Sequence, residues 1–218
     1  MIGRHRRSVA ASKAQTREYA ERIAELVPVL RSEIPVPAAP AGSAVVVVLM
    51  GPPGVGKSHC ARLLAARLGA AHVSSDHLRS RLFIAASYAP EESATIFRAA
   101  DMLCDTLLAE GHRVIVDATN LLARHRATAT ATARRRGVPI VHVRVVAEER
   151  DARERLARRR LARAEHDHSD ADERVFERMR ETFEPPEEGH LVLANGTALE
   201  AEIERVAAEV ERRCASAT

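Results

Sequence analysis

Residues 44–58 constrain this chain more than any other stretch. An unbroken apolar run, Ala44 to Met50, passes directly into Gly51-Pro52-Pro53-Gly54-Val55-Gly56-Lys57-Ser58. A valine-rich run of that kind suits a parallel strand covered on both faces. The following residues fit G-x-x-x-x-G-K-[ST] at every fixed position. They lead into an amphipathic helix, Lys57 to Leu68, with Ala61, Leu64, Ala65 and Leu68 on one stripe and Gly69 as its stop. Between a buried strand and a helix, the glycines let backbone N–H groups turn inward around phosphate oxygens, and the helix N-terminus adds partial positive charge. Lys57 is then placed to reach the β- and γ-phosphates of a triphosphate, and the Ser58 hydroxyl to ligate magnesium. Gly51 through Ser58, with His59 beside them, are the candidate nucleotide-binding residues. The lysine usage agrees: the chain has 31 Arg and only Lys13 and Lys57, and a compact ammonium fits this site where a planar guanidinium does not.

Downstream the pattern alternates strand and helix. Ala71–Ser74, Val114–Val116, Ile140–Val146 and Leu191–Leu193 read as further strands. Helices are expected after Asp76, from Pro90 to Gly111, from Asn120 (as cap) to Gly137, over 148–163 and 170–182, and from about Leu199 to Arg213. Four or five strands joined by helical crossovers give an α/β doubly wound parallel sheet of the P-loop NTPase kind. Upstream, Ser8 to Leu30 has a loose helical period that Pro28 interrupts, and residues 34–42 form a proline-rich linker. The expected division is a helical extension and linker over 1–40 and a P-loop domain over 41–218. The extension either packs on the core or meets a partner.

Composition removes several classes. The longest apolar run, Ala44–Met50, is far short of the ~20 residues of a membrane span. Arg4, Arg6 and Arg7 precede no apolar stretch of signal-peptide length. Cys60, Cys104 and Cys214 are odd in number and widely spaced, which argues against a disulfide framework or zinc knuckle and for a reducing, cytoplasmic setting. The net charge of +3 is unevenly spread: residues 111–163 hold 14 Arg against 5 acids, and 164–218 hold 6 Arg against 15. A basic segment before an acidic one is either a polyanion-facing surface or a pair of solvated helix faces.

The strand ends supply the remaining candidates. Asp76 falls just beyond the second strand, at the carboxyl edge where ligands bind in such sheets. Arg79, three residues on, shares its helix face. The carboxylate can take the proton of an attacking hydroxyl and the arginine can hold an anionic acceptor, unless Asp76 merely caps the helix. Asp117 ends the third strand in Walker B position, holding magnesium through water or orienting the acceptor. Glu148 to Arg163 carries seven arginines, as a lid closing on a triphosphate would; Arg155 and Arg159, four apart, are the chosen pair. Glu165-His166-Asp167-His168 lacks a completing ligand set for a metal.

Taken together, GPPGVGKS, SSDHLR, VIVDATN, the ERLARR segment and the trailing SDADERVFERMRETFEPPE resemble the P-loop kinases of the polynucleotide kinase and zeta-toxin-like group, often described as AAA-type ATP-binding proteins. The match runs from residue 44 to about 195. It implies a nucleoside-kinase-like fold with a helical lid at about 148–170, ATP as donor and magnesium as cofactor. It makes Asp76 the general base, Arg79 the acceptor clamp and Arg155 and Arg159 lid arginines, and puts Asn195 where the adenine is often wrapped. Six aromatic residues in the whole chain are few for stacking single-stranded bases. Three functions follow. The first is an ATP-dependent kinase of a hydroxyl acceptor, best matched to a polynucleotide 5′ end. The second is a small-molecule kinase acting on a sugar, nucleotide sugar or antibiotic. The third is a nucleotide-binding regulatory module with no catalysis.

Overall fold

Strand β1 (Val46–Met50) is buried at every position because it lies at the middle of a five-stranded sheet. Its companions are β2 (Ala70–Ser74), β3 (Arg113–Asp117), β4 (Ile140–Val146) and β5 (Leu191–Ala194), in the order β2-β3-β1-β4-β5. All pairings are parallel, with Val47 opposite Ile115 on one side and Val141 on the other. The strand ends move by one or two residues from those the sequence suggests. The computed structural model describes residues 2–37, 42–83, 89–162, 182–187 and 189–216, and the side chains of 17–37, 42–83, 89–158, 182–187 and 189–216. The expected helix at 170–182, the Glu165–His168 run and the lid beyond 162 lie outside the described residues.

The pleat of β1 divides the core in two. Val46, Val48 and Met50 face α1 (Ile2–Ser32), α3 (Ser75–Leu82) and α4 (Pro90–Ala109), meeting Ile96, Leu103 and Leu107 of α4. Val47 and Leu49 face α2 (Lys57–Leu68) and α7 (Leu199–Ser216), meeting Leu64, Val206 and Val210. The helices α5 (Ala123–Arg136) and α6 (Glu149–Ala162) complete the crossovers.

Three local expectations need correction. Helix α1 runs straight through Pro28. Ile23, Val27, Leu30 and Ile34 are buried in the same core as β1, and that packing carries the helix past its missing N–H. The glutamate after it, Glu33, accepts from Arg81 Nε of α3 at 2.7 Å. Helix α3 begins at Ser75, and Ser74 caps it by accepting from the His77 N–H at 3.4 Å, so Asp76 is not the cap. Helix α5 begins two residues later than expected, with Leu122 in place of Asn120 at its cap position. Asn120 is buried with φ of +47° and its side chain donates to the Leu49 carbonyl at 2.9 Å, bracing the β3–α5 turn against β1.

Two predictions follow from the core. Ile23 is fully buried, so Ile23→Ala should lower unfolding free energy by roughly 2–5 kcal/mol in a urea titration. An unchanged midpoint would detach α1 from the core. His142, in the middle of β4, is 5% exposed and its Nε2 has no hydrogen-bond partner. Burial, reinforced by Arg126, His190 and Arg213, pushes its pKa down to about 4. The unfolded chain protonates this imidazole near pH 6.5 while the fold resists until about pH 4, so stability should fall as pH drops through that window. His142→Leu should show a smaller loss of melting temperature over the same range.

Candidate functional site

The loop between β1 and α2 owes its shape to glycines at two points. Gly56 is the N-cap of α2 at φ +88° and brings no side-chain cap, so the helix presents its positive N-terminal end at the loop, where an anion would be favoured. Gly54, at φ +84°, runs beneath α6: a Cβ there would lie 2.7 Å from the Ala152 carbonyl oxygen and 2.9 Å from Leu156 Cγ. Lys57 Nζ donates to the Pro52 carbonyl at 2.9 Å, so the ammonium folds back over the loop. Gly51 N–H donates to the Thr119 carbonyl at 3.0 Å and fastens the loop to the end of β3. Pro52 and Val55 are buried, Pro53 is half-buried, and His59 is exposed one residue beyond Ser58.

Asp117 closes the same crevice. It lies opposite Leu49 in the β1–β3 register and is 3% exposed. His72 Nε2 stands 3.1 Å from its Oδ2, and the Ser58 hydroxyl is near enough to help hold the carboxylate's charge. Burial alone raises this carboxyl group's pKa. The hydrogen bonds from His72 and Ser58, with the charges of His72 and Lys57, outweigh it and hold Asp117 below the usual carboxylate range. An ionised carboxylate hydrogen-bonded to a loop hydroxyl is a hard-oxygen donor pair that fits magnesium. Among the described residues no group of three or more His, Cys, Asp or Glu side chains is placed to hold a metal ion. His72 was not among the sequence candidates. Its only signal there was a polar residue two positions before the end of an otherwise apolar strand.

The structure separates the other predicted partners. Asp76 is exposed in the first turn of α3. Arg79 turns inward and is 8% exposed; its Nη1 pairs with Glu92, itself fully buried, and its Nη2 donates to Ser93 Oγ at 3.4 Å. The pair therefore does not share one open face. In α6, Arg155 Nη1 approaches the Gly54 carbonyl at 3.5 Å, while Ala152 is buried against the loop. Arg159 lies one turn further along α6, with its side chain outside those described. Asn195, after β5, donates to the Val55 carbonyl at 2.8 Å, which brings β5 to the phosphate loop.

A family model for an AAA domain matches residues 46–186. Among solved structures, the chain is similar to the APS kinase of Mycobacterium tuberculosis in complex with AMPPNP and APS. The two are 24% identical, with 80% of this chain and 99% of that one covered and a TM-score of 0.57. It is also similar to Kti12 of Chaetomium thermophilum in complex with ADP-AlF3 (24% identity, 78% and 98% covered, TM-score 0.60). A gluconokinase from Sinorhizobium meliloti is 17% identical, with 82% and 97% covered and a TM-score of 0.55. No curated protein matches the chain. These likenesses show that the chain shares the α/β fold of these proteins, with its phosphate loop after the central strand. Among the described residues no helix is long and apolar enough to cross a membrane.

Because Gly54 is at positive φ and has α6 against it, Gly54→Ala should strain the backbone by roughly 1–3 kcal/mol and push α6 away. ADP affinity, measured by titration calorimetry, should fall at least about 10-fold. Wild-type affinity would mean that the loop does not bind phosphate in this conformation.

Proposed function

From the premise that this chain belongs to the AAA domain family over residues 46–186, we propose that it is an ATP-dependent phosphotransferase acting on the hydroxyl of a small molecule. The observation that carries this reading is the meeting of Lys57, Ser58 and buried Asp117 where a glycine-turned loop opens α2. The N–H groups of the loop hold the triphosphate, and Lys57 leaves the Pro52 carbonyl to follow charge onto the transferring phosphoryl group. Ser58 and Asp117 would hold magnesium, which when bound neutralises the phosphate oxygens. Asp76, exposed beside the crevice, accepts the proton as the acceptor oxygen bonds to the γ-phosphorus and the bond to the β-γ bridging oxygen breaks. Arg155, and Arg159 beyond it, supply positive charge from α6.

The acceptor assignment turns on Arg79. A polynucleotide 5′ end needs that guanidinium for the acceptor's phosphate, and it is engaged inside the protein by Glu92 and Ser93. Its position supports a structural part for Arg79, joining α3 to α4, and with it an acceptor that carries no phosphate for this arginine. The relatives described as APS kinase and gluconokinase act, by their names, on small molecules, which is consistent with this choice.

The test is transfer of labelled γ-phosphate to 5′-hydroxyl oligonucleotides and to a panel of sugars, polyols and aminoglycosides. Labelling of a small acceptor is expected, and labelling of oligonucleotides alone would return the reading to polynucleotide ends. Lys57→Ala and Asp76→Asn should each lower transfer by roughly 10²-fold or more without changing stability. Arg79→Ala should instead destabilise the fold by roughly 3–5 kcal/mol, because it removes the arginine that pairs with the fully buried Glu92 carboxylate. A stable Arg79→Ala protein that binds acceptor poorly would restore the clamp.

A further inference from the structure

We propose that His72 is a positioning residue for the nucleotide site, locking the Asp117 carboxylate in the orientation from which it receives the cation–nucleotide complex. The inference rests on the nucleotide-binding part of the reading above, and nothing in it depends on which acceptor is used.

The placement follows from the register. His72 lies opposite Ile115 in the β2–β3 ladder and Ser74 lies opposite Asp117. Residues paired across parallel strands share a face, and so do residues two apart along one strand. His72, Ile115 and Asp117 therefore project to one side. Ile115 packs in the cluster that α2 covers, so this is the side of Ser58 in the first turn of α2. The imidazole reaches along the sheet from below and meets Asp117 Oδ2 at 3.1 Å, while the Ser58 hydroxyl meets the carboxylate from the loop. The His72 contact from the neighbouring strand restrains the carboxylate's rotation, with Ser58 close by at the start of α2. Since an ionised carboxylate only accepts, Nε2 is the nitrogen that carries the proton.

A polar side chain at this point needs a reason. Position 72 is in the interior of a short strand whose neighbours Ala71 and Val73 are buried, and its side chain is 21% exposed. An apolar residue would pack there and leave Asp117 Oδ2 buried without a donor, costing about 1–3 kcal/mol. A histidine that only satisfied Asp117 would matter for folding and nothing else. One that orients Asp117 must also change how strongly a divalent cation adds to nucleotide binding, because hydrogen-bonding partners of a ligand group commonly alter cation affinity about 10–100-fold.

The experiment measures ADP binding calorimetrically in EDTA and again with Mn²⁺, whose coordination is followed by electron paramagnetic resonance. The quantity of interest is the cation-dependent gain in affinity. In His72→Leu that gain should shrink about 10-fold while ADP affinity in EDTA stays unchanged. His72→Gln, whose amide reaches the Nε2 position, should recover most of it. His72→Asn, one methylene shorter, should not. In an Asp117→Asn background His72→Leu should have no further effect on the gain. If His72→Leu does not fold, the Gln and Asn variants decide the matter between them. An undiminished gain in His72→Leu, equal losses with and without cation, or identical behaviour of Gln and Asn would overturn the proposal. A wild-type protein that binds no ADP in either buffer would overturn the phosphate-loop reading and the role of His72 together. Normal cation-coupled binding without transfer to any acceptor would sink only the acceptor assignment.

Discussion

The parallel pairing of β1 with β3 is the constraint on which the rest of the site depends. It sets Leu49 beside Asp117, so the loop that leaves β1 and the carboxylate that ends β3 emerge at one edge of the sheet. Two further bonds make that edge rigid: the Gly51 N–H to the Thr119 carbonyl, and the Asn120 amide to the Leu49 carbonyl. Both join the end of one strand to the turn after the other. Phosphoryl transfer asks little covalent chemistry of a protein and depends on donors and charges already being in place. A buried central strand flanked by parallel neighbours provides that rigidity directly.

Much of this was legible in the sequence wherever a local rule governs. The valine run, the glycine spacing and the helix stripe after Lys57 each report a backbone requirement, and β1, the loop and α2 lie where those rules put them. Asp117 was legible as a polar residue closing an apolar strand. The misreadings share one cause, which is that long-range contacts outweighed local preference. Pro28 breaks isolated helices, yet α1 continues because Ile23, Val27 and Leu30 are buried on both sides of it. Asn120 is a good N-cap by type, but its amide is used by Leu49, more than 70 residues away in the chain. Arg79 has the spacing of an acceptor clamp, and only the fold reveals Glu92 waiting beneath it. His72 carried no motif because its meaning lies in a neighbouring strand.

The N-terminal helix shows how an appendage by composition becomes part of the working unit. Its apolar stripe sits in the core beside α4, and Glu33 at its end holds Arg81 of α3, with His77 3.9 Å from the same carboxylate. Helix α3 has only two turns and carries exposed Asp76, so alone it has little to fix its direction. It is held from below by Leu78 and Leu82 in the core, from one side by Arg79 reaching to Glu92 and Ser93, and from another by Arg81 reaching to Glu33. Arg79, which looks from sequence like a ligand contact, joins Arg81 in orienting the element from which Asp76 projects.

The same logic applies to α6. Seven arginines over 148–163 suggest a segment that floats until a triphosphate draws it down. The structure instead rests the start of the helix on the phosphate loop. Ala152 is buried, its carbonyl and Leu156 occupy the space where a side chain at Gly54 would be, and Arg155 leans on the Gly54 carbonyl. Small residues at the contact let the helix come close to the backbone, and the arginines then lie along a helix whose base is fixed at the site. Of the two arginines that the spacing pairs, Arg155 is the one seated against the loop, and the turn of α6 that carries it is the turn that Leu156 packs over Gly54.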